Sequence, residues 1–498
     1  MLKNIFSPTV VGALAVIYTA LLLTPSIHSY GNIEAAHDLV SLHTPYTIGE
    51  FQGPLNGRTL LVDFFPQYQN ISPYLLTPFW SWAGLNMTSF TLVMCGLSLL
   101  GLIIVYRVFL RITQSHGWAL VLYFPFLAIS FHPIYRTKGQ TMNIFNYFAV
   151  GPMRYFGPWI TLLYLSRYLE RPSIRRLMVL AMVAALTAVN NLDFGVPAFV
   201  GALAAVLLLE YKKPLKALLV FSLSLIAVVS GFSLLTYFRS GSLPRFQELF
   251  AFQRIFAIYG FGAVPMPQYG LHWIFYFLFM ASLAVGILGF LKSERLSPAD
   301  SLHRGLLIFS GIFGSGTLFY YVGRSRWEVL PAVFPAFAFP LMLLAWMQFS
   351  RRKYLGVSDW IPSLLLTLGF LMCACYVSDV PRPDQQWTRI RTHSSRLTDS
   401  FEDRAIFVKK HSAPGQTVGI CYPYGDEIAI RSQVINRFPF AENGSMILKA
   451  QADLAVDTLL KNKVSQLYGI VTGEFAEKVK QQGFRQVDRQ GDFELWAR

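Results

Sequence analysis

The chain has 498 residues, of which 54% are hydrophobic and only 14% are charged. Soluble domains carry about 25% charged residues, so this composition excludes an ordinary soluble protein. The net charge is +15, but no basic patch interleaves with base-stacking aromatic residues in a soluble domain, which argues against a nucleic-acid partner. Apolar runs of roughly 20 residues, long enough to cross a bilayer core, recur along the chain.

These runs predict a polytopic α-helical membrane protein with eleven transmembrane helices. The first run follows Met1-Leu2-Lys3 without a clear small-residue cleavage site, so we expect it to be retained as a signal-anchor. The predicted spans begin near Thr9, Met87, Trp118, Pro158, Leu177, Gly195, Leu215, Leu271, Gly305, Val329 and Trp360.

Charge asymmetry predicts the orientation of these spans. Basic residues such as Arg175, Arg176, Lys212 and Lys213 fall in the short connections on the side of the N-terminus. Short loops rich in Lys and Arg stay in the cytoplasm, so the N-terminus is predicted inside. An odd number of spans then places the C-terminal region outside.

Three predicted outer loops are longer than connectivity requires, at about 25–86, 132–157 and 239–270. The first is acidic, and its latter half, Tyr68 to Trp82, mixes aromatic residues with prolines. That composition predicts short helices lying in the membrane interface. We therefore divide the chain into a transmembrane domain at 1–378, which carries these loops, and an extracytoplasmic linker and small domain at 379–498.

The region after Val377 has the pattern of a small α/β fold. Strands are predicted at 417–422 and 466–471, and helices at 450–460 and 474–482. A closing hairpin is predicted from 486–487 and 493–497. This alternation is typical of layered α/β structures. The region shows no glycine-rich phosphate loop and no cluster of metal ligands.

Asp63 is the leading catalytic candidate, because it places a carboxylate among aromatic residues near the outer interface. If its segment is helical, Asp63 and Gln67 share one face with Tyr68 adjacent. Such a pair could accept a hydroxyl proton and orient a sugar. The alternative is an interfacial carboxylate that faces water. Glu34 and Asp38 form a second same-face acidic pair, for which a solvated helix face is the alternative.

Two further motifs lie at predicted outer membrane boundaries. In Asn190-Asn191-Leu192-Asp193-Phe194-Gly195, Asn191 and Asp193 either line a polar site or cap a helix, with Asp193 as an ordinary N-cap. Arg324 and Arg326 oppose the charge rule, and their guanidinium groups suit a lipid phosphate or head-group phosphates in general. A second phosphate-binding option consists of Arg136, Lys138 and Arg154.

Taken together, these features resemble the GT-C superfamily of polytopic glycosyltransferases. The resemblance covers nearly the whole chain at the level of architecture. The segment Asp63-Phe64-Phe65-Pro66-Gln67-Tyr68 resembles the acidic motif in the first outer loop of bacterial members. The segment from Tyr320 to Arg326 resembles a late-loop feature of some members. The paired Asp-Glu of the protein mannosyltransferase branch is absent, since phenylalanine follows Asp63.

The resemblance implies a bacterial inner-membrane transferase that uses a polyprenyl-phosphate-linked sugar. The acceptor would be an extracytoplasmic cell-envelope glycan, lipid or protein. Asp63 would act as general base on the acceptor hydroxyl, and Arg324 and Arg326 would stabilise the leaving lipid phosphate. A divalent metal ion is compatible with this chemistry, although no clear ligand set is visible and no cofactor is required.

Two other functions are compatible with a polytopic protein of this kind. A lipid-linked polysaccharide polymerase or ligase would also use outer-loop arginines. The size and acidity of the first loop favour the glycosyltransferase. A transporter or flippase would place ionisable residues in the middle of spans, whereas almost all charges here fall at predicted span ends.

Overall fold

The structure is a computed structural model. It describes residues 8–29, 39–137, 140–211, 214–260, 262–291, 297–352, 368–369, 371–372, 376, 401–441, 446 and 448–498. The chain forms two compact units. Unit 1 comprises Met1–Ser29, Leu92–Ser230 and Gly262–Arg382, and unit 2 comprises Tyr30–Thr91, Gly231–Phe261 and Pro383–Arg498. The domain division at residue 379 stays a prediction.

Helices make up most of the chain before residue 353. They are α1 (Pro8–Ser29), α2 (Leu39–Leu55), α3 (Ser72–Ala83), α4 (Met87–Thr113), α5 (His116–Ser130), α6 (Gly151–Glu170), α7 (Ile174–Asn190), α8 (Leu192–Leu209), α9 (Pro214–Ser240), α10 (Ala251–Ala257), α11 (Leu271–Leu291), α12 (Pro298–Leu318) and α13 (Phe334–Arg352). A short hairpin of β1 (Tyr135–Thr137) and β2 (Gln140–Met142) separates α5 from α6.

A helix lies at each of the first ten predicted spans, whereas the eleventh, near Trp360, falls almost entirely outside the described residues. Two helices begin earlier than expected. Helix α12 begins at Pro298 rather than near Gly305, because the Ser297 side chain caps the Asp300 amide and proline suits the first turn. Helix α6 begins at Gly151, with a proline in its first turn.

Five segments are long and apolar enough to cross a membrane within the described part of the chain. They are Met87–Thr113, Leu192–Leu209, Pro214–Ser240, Leu271–Leu291 and Leu330–Ser350, and two shorter apolar helices are Pro8–Thr24 and His116–Ser130. Together with the α/β region described below, they confirm the predicted class: a multi-pass helical membrane protein with a small C-terminal α/β fold.

In unit 1, helix α12 packs closely against α8 and α11 because several of its residues are glycines. A Cβ atom at Gly314 would lie 2.2 Å from the Phe279 ring of α11, and one at Gly316 would lie 2.5 Å from Pro197 of α8. Small residues allow helix backbones to approach where apolar lipid supplies little hydrophobic driving force for association. These glycines therefore set the spacing between three helices.

Unit 2 contains a five-stranded sheet in the order β4-β3-β5-β7-β6. Its strands are β3 (Thr417–Cys421), β4 (Ile435–Asn436), β5 (Gln466–Gly469), β6 (Arg485–Gln490) and β7 (Phe493–Ala497). Strand β3 is parallel to β4 and β5, whereas β7 is antiparallel to β5 and β6. The predicted strands, helices and closing hairpin are thereby confirmed.

Helices cover both faces of this sheet, because successive strand residues point to opposite sides. On one face, Leu467 and Trp496 share a core with the helices Lys449–Lys461 and Gly473–Gln481. On the other face, Ile420 and Tyr468 share a core with Gly425–Ser432 and with the helix at 401–411. The first core also contains Leu60, Leu61, Phe64 and Phe65 from the first predicted outer loop. This short stretch of the loop is thus part of the α/β core.

Candidate functional site

The structure distributes the predicted site residues between the two units. Asp63, Gln67 and Tyr68 belong to unit 2, whereas Arg154, Asn191, Asp193, Arg324 and Arg326 belong to unit 1. Glu34, Asp38 and Lys138 lie outside the described residues. The backbone of Arg136 lies in β1, opposite Thr141.

Asp63 lies in a tight turn at residues 59–64, which we call the Asp63 turn. The Thr59 carbonyl accepts hydrogen bonds from the amides of Val62, Asp63 and Phe64, and the Leu61 amide donates to the Phe64 carbonyl at 2.7 Å. Leu61 adopts a left-handed conformation with φ of +60°, which costs a branched residue about 1–3 kcal/mol. Backbone strain of this kind is concentrated at functional sites, which makes the turn a candidate site.

The Asp63 carboxylate is held through both of its oxygens. Oδ1 accepts a hydrogen bond from the Thr59 amide, and Oδ2 lies 3.3 Å from the Arg437 guanidinium. The side chain of Asp63 remains 19% exposed. Two donors therefore fix the direction of a carboxylate that solvent or a ligand can still reach.

Gln67 and Tyr68 do not share a helical face with Asp63, because the segment is not helical. Its backbone is organised instead by Glu50 on α2, a buried side chain that is 1% exposed. The Glu50 carboxylate accepts hydrogen bonds from the amides of Gln67, Tyr68 and Gln69 at 2.6, 2.6 and 3.0 Å. The Tyr68 ring is itself buried, and its hydroxyl lies 2.7 Å from Nδ1 of His43.

Arg58 precedes the Asp63 turn and is fully buried, with 0% exposure. It pairs with Asp426 and donates to the Phe438 carbonyl, and its guanidinium lies 4.2 Å from the centre of the Phe64 ring. Burial lowers the pKa of Arg58 to about 9, against the opposing effect of Asp63. Asp426 also accepts a 2.9 Å hydrogen bond from Asn436. A buried ion pair between Arg58 and Asp426 thus lies directly before the Asp63 turn.

In unit 1, predicted site residues from several motifs lie around the ring of Tyr320. The guanidinium carbons of Arg154 and Arg324 lie 4.7 and 4.9 Å from the centre of the Tyr320 ring. Arg154 also pairs with Asp193 at 3.0 Å. We call Arg154, Asp193, Tyr320 and Arg324 the Tyr320 cluster. Three sequence motifs far apart in the chain therefore form one charged and aromatic group.

The members of this cluster differ in exposure and in partners. Arg154 lies in helix α6, not in the predicted loop, and is only 4% exposed. It donates to the Ala149 carbonyl at 2.5 Å in addition to its bond with Asp193. Arg324 is half-buried and Arg326 is exposed. Arg154 is therefore paired inside the protein, and Arg324 is the more accessible of the two cations.

Asn191, rather than Asp193, caps helix α8. The Asn191 side chain accepts a hydrogen bond from the Phe194 amide at 3.0 Å. The sequence pattern indicated Asp193 as the N-cap, but Asp193 is the second residue of the helix, where a carboxylate suits the positive end of the helix dipole. Asp193 is consequently available for the ion pair with Arg154.

His272, which was not singled out from the sequence, lies beside the loop that carries Arg324. It is 2% exposed, and its ring centre lies 5.5 Å from that of Tyr321. Its Nε2 has no hydrogen-bond partner among the described residues. A histidine at the start of an apolar helix is a weak sequence signal, because most such residues pack without further function.

No group of three or more His, Cys, Asp and Glu side chains could hold a metal ion in the described ranges. The donor set at Asp63 consists of one carboxylate with a guanidinium against it, which does not fit a divalent cation.

No protein-family model matches the chain, and neither does any curated protein sequence. Among solved structures, the chain is similar to ArnT from Cupriavidus metallidurans, in a crystal structure described as bound to undecaprenyl phosphate. The similarity covers 98% of this chain and 97% of that chain, with 11% sequence identity and a TM-score of 0.48. The chemistry is therefore inferred from the residues of the chain itself.

Proposed function

We propose that the protein is a membrane glycosyltransferase that moves a sugar from a polyprenyl-phosphate-linked donor to an extracytoplasmic acceptor hydroxyl. The observation that carries this proposal is the Asp63 carboxylate, which is partly exposed and held in one direction by Thr59 and Arg437 within a strained turn. A carboxylate near lipid requires a partner or a function. Arg437 supplies the partner, and the remaining exposure of Asp63 leaves it able to contact a substrate.

In this reaction Asp63 acts as the general base. The acceptor hydroxyl transfers its proton to the carboxylate, and the acceptor oxygen attacks the anomeric carbon of the sugar. The bond from that carbon to the lipid phosphate breaks, and the phosphate leaves with the bonding electrons. The hydrogen bonds from Thr59 and Arg437 direct the carboxylate, because a base must lie within hydrogen-bond reach of the proton that it removes.

The departing lipid phosphate gains negative charge and requires a cation more than a proton donor. Within the Tyr320 cluster, Arg324 is assigned to this role, because it is half-buried whereas Arg154 is only 4% exposed. Tyr320 places an aromatic ring against the Arg324 guanidinium, which restricts the side chain, and a guanidinium group can bind phosphate through two parallel hydrogen bonds. Arg326 is exposed and is assigned an accessory role.

The test compares cell-envelope glycans by mass spectrometry in cells that lack the gene and carry either the wild-type or a variant copy. Asp63→Asn keeps the shape of the side chain but removes its basicity, so the product should fall by about 10²–10⁴-fold. Asp492→Asn, an exposed carboxylate of unit 2, is the matched control and should leave the product unchanged.

Equal amounts of folded protein in the membrane are required for this comparison. Full activity of Asp63→Asn would refute the assignment of the base. Glu34→Gln and Asp38→Asn belong in the same series, because loss of product in Asp38→Asn alone would move the base to Asp38. A glycan profile that is identical with and without the gene would remove the glycosyltransferase proposal itself.

A further inference from the structure

Helix α3 exposes an apolar face and buries the opposite one. Leu75, Phe79 and Trp82 are 71%, 39% and 84% exposed, and their spacing of four and three residues places them on one side of the helix. Trp80 points the other way, is 1% exposed and packs with its ring centre 6.4 Å from that of Phe51. The helix contains no charged residue. Water is therefore an unfavourable environment for its outer face.

The chain itself indicates what covers this face. Twelve residues of helix extend only about 18 Å, which is too short for a bilayer core of about 30 Å. Only residues 84–86 separate α3 from α4, which is long and apolar enough to cross the membrane. The end of α3 is consequently tethered at a membrane boundary. Exposed Trp, Phe and Leu on an uncharged helix at that depth suit the lipid interface.

Helix α3 is also bonded to the Asp63 turn. The hydroxyl of Tyr74, in the first turn of α3, accepts a hydrogen bond from the Leu60 amide at 2.7 Å. Burial raises the pKa of Tyr74 to about 12, so the hydroxyl is neutral at ordinary pH. The Tyr74 ring packs 6.2 Å from that of Phe232 and 5.0 Å from the Arg239 guanidinium. Tyr74 thus links α3 directly to the backbone of Leu60, three residues before Asp63.

We propose that α3 lies flat in the outer lipid interface, with Leu75, Phe79 and Trp82 inserted, and that Tyr74 thereby holds the Asp63 turn at the membrane surface. The partner of this face is the bilayer, not a second protein. The membrane contact is argued from the exposed apolar face of α3 and the apolar helix that follows it, and the side of the membrane follows the predicted topology. Its meaning for catalysis rests on the proposed function, since a base at this depth would meet the head group of a lipid-linked sugar.

The first test measures the accessibility of nitroxide spin labels on α3 in the full-length protein. The four native cysteines are replaced by serine, and single labels are placed at positions 75, 79, 82 and, as control, at Ser81 on the exposed flank of the same helix. The protein is studied in nanodiscs of phosphatidylcholine and phosphatidylglycerol. Labels at 75, 79 and 82 should be relaxed several-fold more by oxygen than by a water-soluble nickel chelate, and the order should reverse at 81.

Equal access of the nickel chelate to positions 75, 81 and 82 would overturn the membrane contact. Labels that are immobile and shielded from both reagents would also overturn it, because a protein surface would then cover the face.

The second test measures hydrogen exchange in the same nanodiscs. Tyr74→Phe removes the acceptor of the Leu60 amide and keeps the ring, so amides at 58–66 should exchange several-fold faster. Tyr259→Phe, at a residue of unit 2 that is 64% exposed, should have no effect there. Unchanged exchange in Tyr74→Phe would overturn the link to the turn. Neither measurement requires sugar transfer, so the transferase proposal can fail independently.

Discussion

The buried pair of Arg58 and Asp426 allows a quantitative prediction of stability. Asp426→Asn conserves size and can keep the bond to Asn436, but it leaves the Arg58 charge without its counter-ion. Arg58 and Asp426 are 0% and 2% exposed, and the loss of one partner of such a buried pair costs about 3–5 kcal/mol. For a unit of roughly 200 residues, this corresponds to a decrease of about 6–20 °C in the unfolding midpoint.

The assay is thermal unfolding of the purified full-length protein in detergent. Unfolding is monitored by the fluorescence of a dye that does not react with cysteine thiols. Glu402→Gln is the matched control, because Glu402 is 45% exposed and forms only surface pairs with Lys409 and Arg431, which contribute less than about 1 kcal/mol. Arg58→Met combined with Asp426→Leu removes both charges and should recover most of the loss. If Asp426→Asn and Glu402→Gln unfold at the same temperature, the reasoning from burial is wrong.

Three further predictions concern unit 1 and the membrane topology of the chain. Arg324→Ala should weaken binding of a polyprenyl phosphate, measured by microscale thermophoresis, by about 10–100-fold, and a smaller effect than that of Arg326→Ala would contradict the assigned roles. Gly314→Ala should cost about 1–3 kcal/mol in detergent unfolding because its methyl group would overlap a phenyl ring, whereas Gly96→Ala, which points into open space, should be neutral or stabilising. Alkaline phosphatase fused after Asp379 should be active in a bacterial host, and an inactive fusion with an active cytoplasmic reporter there would reject the eleven-span topology.

Local pattern is sufficient for most individual elements of this protein. Runs of apolar residues bounded by Pro, Gly and charged groups predict the helices. Backbone N–H and C=O groups in a membrane must form hydrogen bonds within the protein, which leaves few alternatives to a helix. The strands at Thr417–Cys421 and Phe493–Ala497 follow from short apolar segments between turn residues. The helix at Leu39–Leu55 is not predicted, because it contains Pro45 and Pro54 and has the composition of a loop.

The connections between distant residues could not be predicted, because no local rule relates them. Arg437 lies 374 positions after Asp63. The contact of Arg154 in α6 with Tyr320, in the turn after α12, depends on a side-chain orientation that spacing does not determine. The helix on which a shared face of Asp63 and Gln67 would depend does not form, for the same reason. The Glu50 carboxylate accepts hydrogen bonds from three backbone amides of that segment. These long-range hydrogen bonds outweigh any local preference for a helix.

The pairing of Arg58 with Asp426 also has a consequence for how the protein is made. Arg58 leaves the ribosome 368 residues before Asp426, and at about 5–20 residues per second this delay lasts roughly 20–70 s. During that interval the guanidinium must remain hydrated, and the hydrophobic side chains around the Asp63 turn lack the sheet on which they later pack. The catalytic carboxylate proposed here would therefore acquire its final surroundings only when synthesis of the last quarter of the chain is nearly complete. With the predicted orientation, we expect a prematurely terminated chain to insert its helices but to leave the first predicted outer loop exposed to extracytoplasmic proteases.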